Sequence, residues 1–109
     1  MATNCLGPFL LNRCLESILI KTANARSSNR YSVRIVWLSS MITTSVPPGG
    51  IKFGRTGNPK VLKKSMENYM QSKVGNVFLA AEAAKRLGGD GIISVVRFAC
   101  CWFFALLGV

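Results

Sequence analysis

Tyr69 and Lys73 stand four residues apart in the stretch Tyr69-Met70-Gln71-Ser72-Lys73. The pattern around them reads as a helix from about Ser65 to Leu87, so the two side chains share one face, a turn apart. A free phenol holds its proton up to about pH 10 and is a poor acid-base catalyst at neutrality. A lysine ammonium close by favours the phenolate and brings proton exchange into the working range. Ser40 closes the run Val33-Arg34-Ile35-Val36-Trp37-Leu38-Ser39-Ser40. A hydroxyl there, at the carboxyl end of a strand, lies in the crevice where open α/β sheets bind ligands. From that position Ser40 can hydrogen-bond a substrate carbonyl while Tyr69 protonates the developing alkoxide. A Tyr-x-x-x-Lys pair alone is weak, and a helical tyrosine is more often a core residue with its hydroxyl at the rim. What adds weight is the order of the elements: strand, serine pair, Gly/Pro-rich loop, then the helix.

Those elements follow from the chain's periodicities. From Asn4 to about Ala25 apolar residues recur at three- and four-residue intervals (Leu6, Phe9, Leu10, Cys14, Leu15, Ile18, Leu19), which predicts a helix capped by Thr3 or Asn4, with Pro8 in or near the first turn. Residues 25–32 are polar and read as a loop. Val33–Leu38 is β-branched and aromatic, a strand expected to be buried on both faces with Arg34 at its start. Residues 41–64 hold Pro47, Pro48, Gly49, Gly50, Gly54, Gly57 and Pro59, and read as a long loop. The second helix takes Ser65 as its cap and ends at Gly88-Gly89-Asp90-Gly91. Ile92–Val96 is a second short strand. Strand, loop, helix, glycine turn and strand make a βαβ unit with parallel strands. Two parallel strands are not a stable sheet by themselves, and parallel sheets need helices on both faces. The fold class is therefore α/β: a helix-strand-helix-strand slice from the centre of a doubly wound, Rossmann-like parallel sheet.

Composition narrows the chemistry. The 109 residues are half hydrophobic, which suits one packed domain at most and argues against wholesale disorder. There is no histidine, which removes the commonest general base and the commonest metal ligand. Cys5, Cys14, Cys100 and Cys101 contain no C-x-x-C spacing, so no zinc site or disulfide framework is expected, and the thiols read as reduced in an intracellular, cytoplasmic protein. The first positive charge, Arg13, follows an apolar stretch that contains Pro8, unlike a signal peptide. The net charge is +10. A basic cluster of Lys52, Arg55, Lys60, Lys63 and Lys64 has only Phe53 among it, so it reads as solvated surface and not as a nucleic-acid site. The charge is also what a slice of a larger domain would show when its acidic portion lies elsewhere.

The residues themselves resemble the short-chain dehydrogenase/reductase family. Arg34–Ser40 looks like that family's fifth strand with its catalytic serine, placed at Ser40. Tyr69-Met70-Gln71-Ser72-Lys73 resembles its Tyr-x-x-Ser-Lys active-site helix, and Thr3-Asn4-Cys5-Leu6-Gly7-Pro8-Phe9 resembles the start of the preceding helix, where an asparagine completes a tetrad. The likeness runs from about residue 2 to residue 95 and is nearest to retinol-dehydrogenase-like and fungal members. It implies hydride transfer between a nicotinamide cofactor, NADP or NAD, and a small-molecule carbonyl or alcohol. By the resemblance Ser40 polarises the carbonyl, Tyr69 donates the proton, Lys73 binds the nicotinamide ribose and favours proton loss from Tyr69, and Asn4 holds a water in the relay. It also implies a homodimer through the helices at 4–25 and 65–87, and secondary metabolism as an associated setting.

The chain also departs from that family. It has no glycine-rich turn after a first strand to cradle a pyrophosphate, no Asn-Asn-Ala-Gly segment, and no residue that selects NAD or NADP. Residues 1–95 are thus expected to form a partial domain without its nucleotide-binding half, inactive alone. Residues 96–109 depart from the family and read as an aberrant apolar tail. The 12 residues after Arg97 are uncharged, short of the roughly 20 that a spanning helix needs, so a membrane anchor is not expected. The competing reading is a non-enzymatic basic interaction protein, or a membrane-associated one using that tail.

Overall fold

The computed structural model describes residues 1–25, 29–46 and 48–99. A π-helical turn, Ala2–Leu6, leads into α1 (Gly7–Ala23); β1 (Arg34–Ser40) is followed by a 3-10 turn (Met41–Ser45), then α2 (Ser65–Leu87), a second 3-10 turn (Gly88–Asp90) and β2 (Ile93–Ala99). The strands pair in parallel, from Arg34 opposite Ile93 to Ser40 opposite Ala99, and α2 is the crossover between them. The fold is α/β with two helices and a two-stranded parallel sheet.

The core lies between α2 and the sheet. Trp37, Ala80 and Ala83 are buried together, with Ile35, Leu79 and Val96 packed against them. Small alanines on α2 let the helix approach closely enough to cover the Trp37 indole. The indole is fixed at its polar end, where Nε1 donates to Ser94 Oγ at 3.0 Å and Ser94 Oγ donates to the Ala80 carbonyl at 2.9 Å. Helix, strand β1 and strand β2 are thereby joined through one indole, which suits an aromatic residue with an apolar body and a polar handle. After α2 the chain turns at Gly91, whose φ of 77° is left-handed and natural to glycine. Gly91 N–H donates to the Gly88 carbonyl and Ile92 N–H to the Leu87 carbonyl, which returns the chain to the sheet.

Three expectations are corrected. The first concerns β1, which is buried on one face only. Trp37 and Ser39 are covered by α2, whereas Val36 and Leu38 are 57% and 53% exposed. Successive strand side chains point to opposite faces, and no described element covers the second face. The second concerns the first helix, which has no side-chain cap. Its opening turn closes on the Met1 carbonyl, which accepts from Cys5 N–H and Leu6 N–H, and Pro8 sits in the first turn of α1. The third concerns residues 41–64, which are not featureless. Beyond the 3-10 turn, Lys52 to Lys60 fold back on themselves: Phe53 bridges Pro59, Gly54 N–H donates to the Asn58 carbonyl and Lys60 N–H to the Lys52 carbonyl. Strand β2 extends past the expected Val96 to Ala99, and the rest of the apolar tail, residues 100–109, lies outside the described residues.

Candidate active site

The site forms where the carboxyl end of β1 meets the first half of α2. Ser39 is 1% exposed, and its hydroxyl donates to the Lys73 carbonyl at 2.8 Å. That bond pins the strand end to the helix turn carrying the lysine, and it commits the proton of Ser39. Ser40, its neighbour, is 8% exposed and only accepts, from the Ile42 N–H at 3.4 Å. Among the described residues its hydroxyl finds no acceptor. Ser39 thus joins the strand to the helix, while Ser40, the residue singled out in the sequence, takes no part in that joint.

On α2 the Lys73 ammonium lies 5.5 Å from the centroid of the Tyr69 ring, within the range of a cation–π contact. Lys73 is 9% exposed, and its Nζ reaches the Leu38 carbonyl at 3.5 Å. Leu38 also accepts from Asn76 Nδ2 at 2.8 Å. The Lys73 ammonium thus lies against the Tyr69 ring one helical turn away, as the four-residue spacing predicts. Among the described residues the Tyr69 hydroxyl makes no hydrogen bond to Ser40 or Lys73.

Asn4 reaches the site from the opening turn of the first helix. Its Nδ2 donates to Ser72 Oγ at 3.4 Å, and Ser72 Oγ donates to the Tyr69 carbonyl at 2.7 Å. The partner of Asn4 is thus Ser72, one residue before Lys73. Asn4 and Lys73 also line one cavity of about 450 Å³ between α1 and β1. The close approach of that opening turn to α2 depends on Gly75, where a Cβ would lie 2.5 Å from Cys5 Sγ. Cys5 is buried there, and burial pushes its thiol above the ordinary range, against a smaller opposing pull from the amino terminus.

Two further residues of α2 hold the preceding loop against the helix, and the sequence reading passed over both. Gln71 is buried. Its Oε1 accepts from Lys52 N–H at 2.7 Å and its Nε2 donates to the Lys60 carbonyl at 3.2 Å. Asn68 accepts from Leu62 N–H at 2.8 Å and donates to the Leu62 carbonyl at 2.8 Å. Amide side chains at these positions stand in for a neighbouring strand and satisfy main-chain groups that a loop otherwise leaves to water. No local signal marked them out, since Ser65, Glu67, Ser72, Lys73 and Asn76 make the same half of the helix polar throughout.

No family model matches the chain, and no solved structure matches it significantly. Curated proteins do. A short-chain dehydrogenase/reductase of Pestalotiopsis fici, iacJ, is 41% identical over 98 residues, which cover 89% of this chain and 29% of that protein. The short-chain dehydrogenase/reductase bet4 of Neocamarosporium betae is 39% identical over 95 residues, 86% of this chain and 27% of its own length. One from Phomopsis amygdali is 36% identical over 97 residues, 87% of this chain and 28% of the relative. The chain spans less than a third of the length of each of these relatives.

Proposed function

The chain belongs to the short-chain dehydrogenase/reductase family, and from that premise we propose that it carries the catalytic face of an NAD- or NADP-dependent oxidoreductase acting on a small carbonyl or alcohol. The observation that carries this reading is the joining of Ser39 to the Lys73 carbonyl, which fixes the strand end that carries Ser40 to the helix turn that carries Lys73, one turn from Tyr69. In this reading Ser40 donates to the substrate oxygen, and Tyr69 exchanges the proton with it. Lys73 stabilises the phenolate, and Asn4, tied to Ser72 Oγ on the opposite side of the helix turn, would hold the water through which the proton is exchanged with solvent. A bound nicotinamide supplies or accepts the hydride.

The residues fit part of such a cofactor. Lys73 faces a cavity with one 3.5 Å contact to a carbonyl, which leaves ammonium protons for ribose hydroxyls, and Tyr69 lies one turn away. A glycine-rich turn that would cradle the pyrophosphate is not present in these residues, so the phosphates must be held elsewhere in a complete site. The same reading includes a homodimer through α1 and α2, supported by Phe9, Leu10, Ile18 and Phe78, which stay exposed on those helices. It also places the protein in the cytoplasm; no described helix is long and apolar enough to cross a membrane.

The test is a chimaera in which this chain replaces the matched segment of the Pestalotiopsis fici relative. Cofactor-dependent carbonyl reduction that falls on Ser40→Ala and survives Ser39→Ala in the folded fraction supports the assignment. Loss with Ser39→Ala and retention with Ser40→Ala would move the chemistry to Ser39 and overturn the assignment.

A further inference from the structure

Between β1 and α2, residues 52–60 form a short two-limbed ribbon that α2 holds in place. Phe53 and Pro59 are a directly opposed antiparallel pair, flanked by the bonds from Gly54 N–H to the Asn58 carbonyl and from Lys60 N–H to the Lys52 carbonyl. The side chains of such a pair lie on one face of the ribbon, and residues two apart along a limb share that face. Val61, two past Pro59, is 84% exposed, and Phe53 is 61% exposed. The alternate residues turn the other way. Lys52 and Leu62 line a cavity of about 200 Å³ with Met70 and Gln71 of α2. Gln71 clasps both limbs, through the Lys52 N–H and the Lys60 carbonyl. The ribbon therefore rests on α2 by one face and presents Phe53 and Val61 outward on the other. Met66, exposed in the first turn of α2, adds a third apolar side chain nearby.

The charge around that face is of one sign. Lys52, Arg55, Lys60, Lys63 and Lys64 are all exposed, and among the described residues none of their side chains forms an ion pair or a hydrogen bond. No Asp or Glu occurs between Glu16 and Glu67. The fold itself makes no use of these five cations, which only repel one another. Exposed apolar side chains ringed by cations suit the boundary between lipid headgroups and acyl chains. Apolar tips enter it, lysine stems lie along it, and the ammonium groups meet phosphates. An acidic protein surface would satisfy the cations and leave Phe53 and Val61 unused. Nucleic acid would call for aromatics interleaved with the cations, and Phe53 is the single one among them.

We infer that this face docks the chain on an anionic lipid bilayer, with Phe53 and Val61 in the headgroup boundary and the five cations on the acidic headgroups. Charge complementarity selects that occupant: clusters of roughly four to eight Lys and Arg on an amphipathic surface attach to acidic leaflets. The attachment is to the surface, without a span. It rests on the geometry and charge of the ribbon and not on the roles given to Ser40, Tyr69, Lys73 and Asn4.

The full chain is mixed with vesicles of phosphatidylcholine alone and of phosphatidylcholine with about 30 mol% phosphatidylserine, and the bound fraction is read by sedimentation. Binding is expected to the acidic vesicles only, falling at least about tenfold when NaCl rises from about 0.1 M to about 0.5 M. Each cation near such a surface strengthens binding about fivefold, so Lys60→Gln, Lys63→Gln and Lys64→Gln together should weaken it on the order of 100-fold. Removing the same charge at Lys21, Lys85 and Arg97, outside the face, should change it less than about threefold, because screening confines the attraction to roughly a Debye length. Phe53→Ser with Val61→Ser should weaken binding about tenfold or more while the α2 amides keep their hydrogen-exchange rates. Equal binding to both vesicles, binding that survives the Lys60, Lys63 and Lys64 substitutions, or equal loss in the two charge variants would overturn the proposal. So would binding to poly-glutamate and to neither vesicle, which would make the partner an acidic protein. The chimaera described above should bind as the chain does. A chimaera that ignores acidic vesicles would mean that the complete domain covers this face, and the proposal would fall.

Discussion

Replacing Gly75 by alanine should have opposite effects in two backgrounds, and the sign depends on one sulfur atom. A Cβ at position 75 would lie 2.5 Å from Cys5 Sγ, well inside the 3.4–4 Å of ordinary contact, and 3.6 Å from Cys5 Cβ and 3.8 Å from Ile51 Cδ1. Cys5 Sγ must therefore give way by nearly an ångström, and because Cys5 is buried its displacement strains the opening turn. Overpacking of that kind costs about 1–3 kcal/mol. Alanine in a helix interior is favoured over glycine by about 1 kcal/mol, so Gly75→Ala should destabilise the chain by a net ~0–2 kcal/mol. In a Cys5→Ala background the clashing atom is gone, and the next contacts are ordinary ones. The same Gly75→Ala change should then stabilise, by up to ~1 kcal/mol. The coupling between the two positions is thus about 1–3 kcal/mol, measurable by a double-mutant cycle in urea with Trp37 fluorescence in a Trp102→Phe chain. Thiol labelling provides a second reading when Cys14, Cys100 and Cys101 are serine: Cys5 should react slowly in the parent and faster in Gly75→Ala, because the turn that buries it has lifted. If Gly75→Ala stabilises both backgrounds equally, Cys5 does not pack on Gly75, and the placement of Asn4 beside Ser72 loses its support.

Other consequences follow from the same contacts. Ser39→Ala leaves the Lys73 carbonyl without its strand partner and should cost about 1–3 kcal/mol in urea unfolding, whereas Ser40→Ala, losing only a long 3.4 Å contact, should cost under ~1 kcal/mol. Gln71→Leu should release the 52–60 segment, seen as a faster-exchanging Lys52 amide, with a stability loss of about 1–3 kcal/mol. Burial favours the protonated thiol of Cys5, so the folded chain holds that proton more tightly than the unfolded one. Stability should therefore fall as pH rises through and above the ordinary thiol value of 9.0, and the part of this slope due to Cys5 should vanish in Cys5→Ala.

The chemistry-bearing residues were legible because their spacing is local. Tyr69 and Lys73 need only a helix to share a face, and the helix follows from periodicity and its glycine stop. The parallel pairing followed from the order of strand, helix and strand. Less legible was anything that depends on which face has a neighbour. The run from Val33 to Leu38 reads as a strand buried on both sides, yet Val36 and Leu38 are open because the described residues supply a helix for one face only. The order in residues 41–64 was hidden for a related reason: its hydrogen bonds come from Asn68 and Gln71, side chains on another element. Asn76 lies on the face of Tyr69 and Lys73, at i+3 from the lysine. That spacing was visible, but its bond to the Leu38 carbonyl was not. That Ser39 is bonded to the Lys73 carbonyl likewise depends on the packing of strand on helix, which no local spacing announces.

The most direct measurement is the steady-state rate of NADH or NADPH oxidation with a carbonyl substrate, for the chimaera carrying this chain and for its Tyr69→Phe variant. If Tyr69 is the proton donor, losing its hydroxyl should lower kcat by roughly 10²–10⁴-fold while the fold and cofactor binding persist. A Tyr69→Phe chimaera that turns over within about threefold of its parent, a change too small for general acid catalysis, would contradict the account.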